Sequence, residues 1–94
     1  MLGLLREFAG ADPTFCDRCY KDDDNRGRSR TYLSQNRYEI YRKDPAFCEK
    51  HSVELVSGWF IATNLSDAAM DNIIRMACRV AGATPNVDVS YSLD

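Results

Sequence analysis

Val53–Thr63, VELVSGWFIAT, is the stretch on which the fold of this chain turns. Val53, Val56, Trp59, Phe60 and Ile61 favour extended backbone, and Ser57-Gly58 suits a tight turn, so one reading is a β-hairpin. The other reading carries a helix from the preceding residues to Val56 and stops it at Gly58. Both place a strand over 59–63. Downstream, Ser66 to Ala81 is the clearest element. Met70, Ile73, Ile74, Ala77, Val80 and Ala81 recur at helical spacing, with Asp67, Asp71, Asn72, Arg75 and Arg79 on the other side. Ser66 suits the N-cap, Asp67 the positive helix end, and Gly82 the position after the last turn. Thr84-Pro85-Asn86 then marks a turn, and Val87, Val89, Tyr91 and Leu93 alternate as in a strand. Strand, helix and strand across 59–93 would form one crossover unit, with the two strands parallel if they are neighbours.

Upstream of the deciding stretch the chain repeats a phrase. DPTFCDRCY from Asp12 returns as DPAFCEKHS from Asp44. Acid replaces acid (Asp17, Glu49), base replaces base (Arg18, Lys50), and Cys19 is matched by His51. Asp44 suits a helix N-cap and Pro45 a first helical turn. Between the phrases, Lys21–Arg30 reads as a charged, solvated loop. Thr31 to Arg42 reads as a hairpin over 30–42, with Tyr38 and Ile40 sharing one face and a turn near Gln35-Asn36. Leu2, Leu4, Leu5, Phe8 and Ala9 fit a short N-terminal helix or apolar arm. The expected fold is α+β: a small single domain with a mixed sheet of three to five strands, one long packed helix and a zinc-knuckle subregion. Its regions are an arm over 1–12, a zinc-binding region over 13–52 and a strand–helix–strand region over 53–94.

The 94 residues carry a net charge of −2, unevenly spread. Residues 26–43 hold six bases against Glu39, a local net of +5, whereas 44–94 hold seven acids and three bases, a net of −4. Overall acidity argues against strong non-specific nucleic-acid binding, although the basic stretch keeps that option open. The sequence has no apolar run long enough to span a membrane and no secretory leader, so the expected compartment is the cytoplasm, where thiols stay reduced.

The sharpest chemical signal is Cys16-x-x-Cys19 followed by Cys48-x-x-His51. Two ligands three residues apart on a tight turn or first helical turn can face one ion, and two such pairs complete a tetrahedron. Phe15 and Phe47 would wall the sulfurs from water, and backbone N–H groups would steady the thiolates. A redox pair or disulfides are the weaker alternatives. Cys78 lies beside the apolar stripe of the 66–81 helix and reads as a buried structural cysteine, with a ligand role as runner-up.

On these four residues the segment from Phe15 to Ser52 resembles the zinc-finger class, of treble-clef or zinc-ribbon type. A ribbon commonly has glycine after the second ligand of each pair, where this chain has Tyr20 and Ser52. A treble clef orders knuckle, hairpin and helix-borne second pair, which is the order expected here. The resemblance implies a structural Zn²⁺ held by Cys16, Cys19, Cys48 and His51, and no specific partner.

Catalysis finds no foothold. Four protein ligands leave no open position on the ion, and neither a phosphate-binding glycine loop nor a nucleophile elbow is present. The expected activity is therefore binding. Arg26, Arg28, Arg30, Tyr32, Arg37, Tyr38, Tyr41 and Arg42 form the candidate partner surface. The favoured partner is another protein or protein complex, which this small protein would serve as adaptor, regulator or inhibitor, with tyrosine and arginine as interface anchors. Nucleic acid is the alternative, with arginines on phosphate and tyrosines on bases. The competing structural reading packs the tyrosines in the sheet and pairs the arginines with Asp22–Asp24.

Overall fold

The computed structural model describes residues 1–26, 31–41 and 44–82. The deciding stretch is a hairpin. Strand β2 (Ser52–Val56) turns through Ser57-Gly58 into β3 (Trp59–Ala62), with Val53 opposite Ile61 and Val56 opposite Trp59. Gly58 has φ +83°, a left-handed value that a side chain strains to adopt, which is why glycine sits there. The register slips between Glu54 and Val56, a bulge that bends the edge strand. A third, two-residue strand β1 (Leu33–Ser34) pairs antiparallel with β3, giving the order β1-β3-β2.

Among the described residues, four α-helices accompany this sheet: α1 (Leu2–Ala11), α2 (Phe15–Lys21), α3 (Pro45–Lys50) and α4 (Asp67–Ala81). The fold is α+β. Helix α4 begins and ends as its sequence predicts. The Ser66 side chain accepts the Ala69 amide, and Gly82 closes the helix at φ +75° with its amide on the Arg79 and Cys78 carbonyls. Ile73, Ile74, Met76, Ala77 and Cys78 are its buried residues along with Ala69. Cys78 is thus a free, buried thiol on the packed side of the helix.

Three expectations are corrected. The hairpin over 30–42 is absent among the described residues. Arg37–Glu39 is a 3₁₀ turn, capped by the Asn36 side chain on the Tyr38 amide, and Leu33–Ser34 pairs with β3. The cause is local: an asparagine capping the next turn competes with extended backbone. Tyr38 and Ile40 therefore do not share a face; Ile40 is fully buried and Tyr38 is exposed. The loop from Lys21 is not wholly solvated, because Asp23–Asn25 is a second 3₁₀ turn and Asn25 is fully buried. The described strands pair antiparallel only; the parallel strand expected over 87–93 lies outside the described residues, as do Arg28, Arg30 and Arg42.

Among the described residues, side chains cap both edges of the sheet. Arg6 of α1 donates to the Leu55 carbonyl at 2.9 Å and the Glu54 carbonyl at 3.2 Å on the β2 edge. On the β1 edge, the Asn25 amide does what a fourth strand would do. It donates to the Leu33 carbonyl and accepts the Leu33 amide, both at 2.9 Å. Edges occupied in this way resist strand addition by another chain.

Candidate functional site

The two Asp-Pro-x-Phe phrases open helices in different ways. Asp44 caps α3 directly, accepting the Phe47 amide at 3.1 Å, with Pro45 in the first turn. Asp12 stands farther out, accepting the Thr14 amide and hydroxyl and pairing with Arg18, while α2 begins only at Phe15. The Thr14 bonds, and next to them the Arg18 guanidinium, hold the Asp12 carboxyl below its ordinary range. So Cys16 and Cys19 ride a helix in place of the expected knuckle. Cys48 lies inside α3, and His51 is the residue just past its end.

The four expected metal ligands are not gathered. Among the described residues, no three His, Cys, Asp or Glu side chains are grouped to hold an ion. Cys16 and Cys19 are buried in the main apolar cluster with Leu5, Phe15 and Ile73. The Cys48 thiol is engaged elsewhere. Its sulfur accepts the Tyr41 amide at 3.2 Å and donates to the Tyr41 carbonyl at 3.1 Å. The His51 ring packs on Phe47 at 4.2 Å between centroids, and Phe47 meets Tyr41 edge-on. This arrangement does not fit a closed tetrahedral site made by these four residues.

Burial sets the chemistry of the first thiol pair. It pushes Cys16 up to about 11, and Cys19 up to about 12, with the neighbouring Cys16 and Asp22 adding to the burial effect at Cys19. At neutral pH both are protonated and poor nucleophiles. A thiol whose folded pKa is raised favours folding fully below its unfolded value near 9 and loses that contribution as pH climbs toward 11–12. Each thiol should cost about 1.4 kcal/mol of stability per pH unit in that window. Urea titrations at pH 8 and pH 10.5 measure this loss. The Cys16→Ser/Cys19→Ser double variant should show a flatter profile than the parent; equal slopes would refute the assignment.

The residues proposed as a partner surface divide sharply. Tyr32 is buried. Arg37 is turned inward, donating to the Ser52 hydroxyl at 2.9 Å and lying 4.7 Å over the Phe60 ring. Tyr41 is half-buried and donates to the Asn64 carbonyl at 3.1 Å. Tyr38 is exposed, with its hydroxyl donating to Glu49. Arg26 is exposed and lies 5.1 Å over the Tyr20 ring. The acids at 22–24 meet a cation that sequence reading did not pair with them. Arg79 of α4 contacts Asp22 at 2.7 Å and Asp24 at 3.1 Å. That contact holds the Asp22 carboxyl below its ordinary range.

A feature that sequence reading missed is a half-open cleft of about 300 Å³ beside β1. Asp17, Tyr20 and Lys21 of α2, Ser34 to Asn36, Glu39 and Trp59 line it. The Tyr20 and Trp59 rings stand 6.0 Å apart at a tilt of 58°. Glu39 accepts the Tyr20 hydroxyl at 2.7 Å and the Ser34 hydroxyl at 3.4 Å. That hydrogen bond to Glu39, more than burial, pushes the Tyr20 hydroxyl upward in pKa. The only signal in the sequence was a single tryptophan beside a turn; the other walls come from three separate segments. Among the described residues no helix is long and apolar enough to cross a membrane. No family model, no curated protein and no solved structure matches the chain.

Proposed function

We propose that this chain is a small non-enzymatic interaction module that engages a partner protein through the Tyr20–Trp59 cleft. The cleft itself carries the reading. It is a concavity with two aromatic walls and convergent polar groups, the usual form of a recognition site. Strand addition is disfavoured, since Arg6 and Asn25 occupy the sheet edges, so recognition falls to side chains. Nucleic-acid binding through 26–43 is weakened as a reading because Tyr32, Arg37 and Tyr41 are committed to internal contacts.

A photo-crosslinking residue placed at Gln35, on the cleft, should form adducts with polypeptide in host extract. The same residue at Asn72, on exposed α4 surface, should not. Random-sequence duplex DNA should show no saturable binding at about 10 µM protein in low salt, the range where non-specific binders respond. Nuclease-sensitive adducts at Gln35, or DNA binding with a steep salt slope, would transfer the function to nucleic acid.

A further inference from the structure

We infer that the cleft takes a basic side chain, lysine or arginine, from the partner polypeptide. The inference rests on the interaction reading above and names what the cleft recognises. Glu39 is half-buried, yet among the described residues no cation lies within ion-pairing distance of it. Both of its hydrogen bonds fall on Oε1, from Tyr20 and Ser34, which leaves Oε2 as an acceptor without a donor among the described residues. A partly buried carboxylate in this state gains from a cation, because desolvation makes each charge contact stronger than in water.

The other lining charges do not supply that cation. Lys21 pairs with Asp17 at 2.9 Å, so the two cancel and Glu39 leaves the lining with a net negative charge. The aromatic walls suit the rest of the guest. Methylene groups of lysine or arginine lie readily along apolar ring surface while the charged head reaches a polar group. Tyr20 already carries one cation beside it, since the Arg26 guanidinium lies 5.1 Å over its ring and acts on its hydroxyl, so a guest would share this wall with Arg26. An acidic guest would face Glu39 with like charge. A purely apolar guest would bury the Glu39 charge without a counter-ion.

The test uses the full chain and four short blocked peptides, Gly-Ser-X-Ser-Gly, with X as arginine, lysine, citrulline or norleucine. Trp59 is the only tryptophan in the sequence, so its emission reports on the cleft directly. The arginine and lysine peptides should shift that emission saturably, and the two neutral peptides should bind at least about 10-fold more weakly. Glu39→Gln keeps an oxygen for the Tyr20 hydroxyl and removes the charge. It should fold, by circular dichroism and melting, and lose at least about 10-fold in affinity for the basic peptides. Asn72→Ala, on the exposed surface of α4 away from the cleft, should bind as the parent does. Should Glu39→Gln fail to fold, the comparison of arginine with citrulline peptides on the parent chain decides the role of the charge by itself. Equal binding of citrulline and arginine peptides, undiminished binding by the charge variant, or no saturable response to any peptide would each overturn the inference. If polypeptide adducts at Gln35 persist through such a failure, the interaction module survives and only its guest was misassigned.

Discussion

Asn25→Ala is expected to destabilise the chain by about 3 kcal/mol, since it leaves two buried backbone groups of Leu33 without partners. The Asn25 side chain is fully buried and serves both the Leu33 amide and the Leu33 carbonyl at 2.9 Å. Its backbone carbonyl also accepts the Tyr32 amide at 2.9 Å. No strand lies on that side of β1 among the described residues, so the amide side chain is what completes the ladder there. The position is prepared by other contacts. The Asp22 side chain caps the 3₁₀ turn through the Asp24 amide, and Arg79 of α4 grips both acids. For a domain of this size, where total stability is about 5–15 kcal/mol, the loss should be plain as a lowered urea midpoint at unchanged slope. Asn25→Asp should be comparably harmful. It keeps an acceptor for the Leu33 amide but sets a carboxylate against the Leu33 carbonyl. A loss under about 1 kcal/mol in either variant would mean that another group or water replaces the lost bonds.

Phe15→Ala should cost about 4 kcal/mol, and Phe47→Ala clearly less, despite their matching places in the repeated phrase. Phe15 is almost wholly buried, packs on Phe8 at 5.6 Å between centroids, and belongs to the main apolar cluster. Its removal forfeits transfer free energy and opens a cavity that close-packed neighbours fill only in part. Phe47 is half-buried and makes ring contacts with Tyr41 and His51 at the periphery. Thermal or urea unfolding of the two variants side by side measures the difference. Equal losses would argue that the two phrases play equivalent structural parts, as a pseudo-symmetric site demands.

The features legible in the sequence were those governed by neighbours in the chain. Helix α4 declared itself through its apolar spacing, Ser66 and Gly82, and each acts within one or two turns. The cap at Asp44 with Pro45 was legible for the same reason. The Val53–Thr63 stretch stayed ambiguous between hairpin and helix. Its apolar residues satisfy either period, and only pairing with β1 and packing under α1 select the strand. The 30–42 segment misled because aromatic and β-branched residues suggest strands wherever they stand. An asparagine cap at Asn36 redirected the backbone into a 3₁₀ turn.

The candidate site was harder to see. Eight arginines and tyrosines drew attention by type, yet residue type does not say which way a side chain points. Arg37 turned inward to Ser52, and Tyr32 became core. Cys48 likewise spent its thiol on the Tyr41 backbone. The cleft was invisible because Tyr20, Ser34, Glu39 and Trp59 come from separate segments with no shared spacing.

By itself, then, the order of residues determined the long helix, its ends, the capped start of α3 and the mixed α and β character, because each depends on contacts a few residues apart. Tertiary structure alone decided that Asn25 substitutes for a strand, that Cys48 bonds the Tyr41 backbone while Cys16 and Cys19 join the main apolar cluster, and that Glu39 shares a cleft with Tyr20 and Trp59 with no ion-pair partner among the described residues. Those outcomes depend on which distant surfaces share the limited interior, and burial, more than local preference, assigns each polar group its partner.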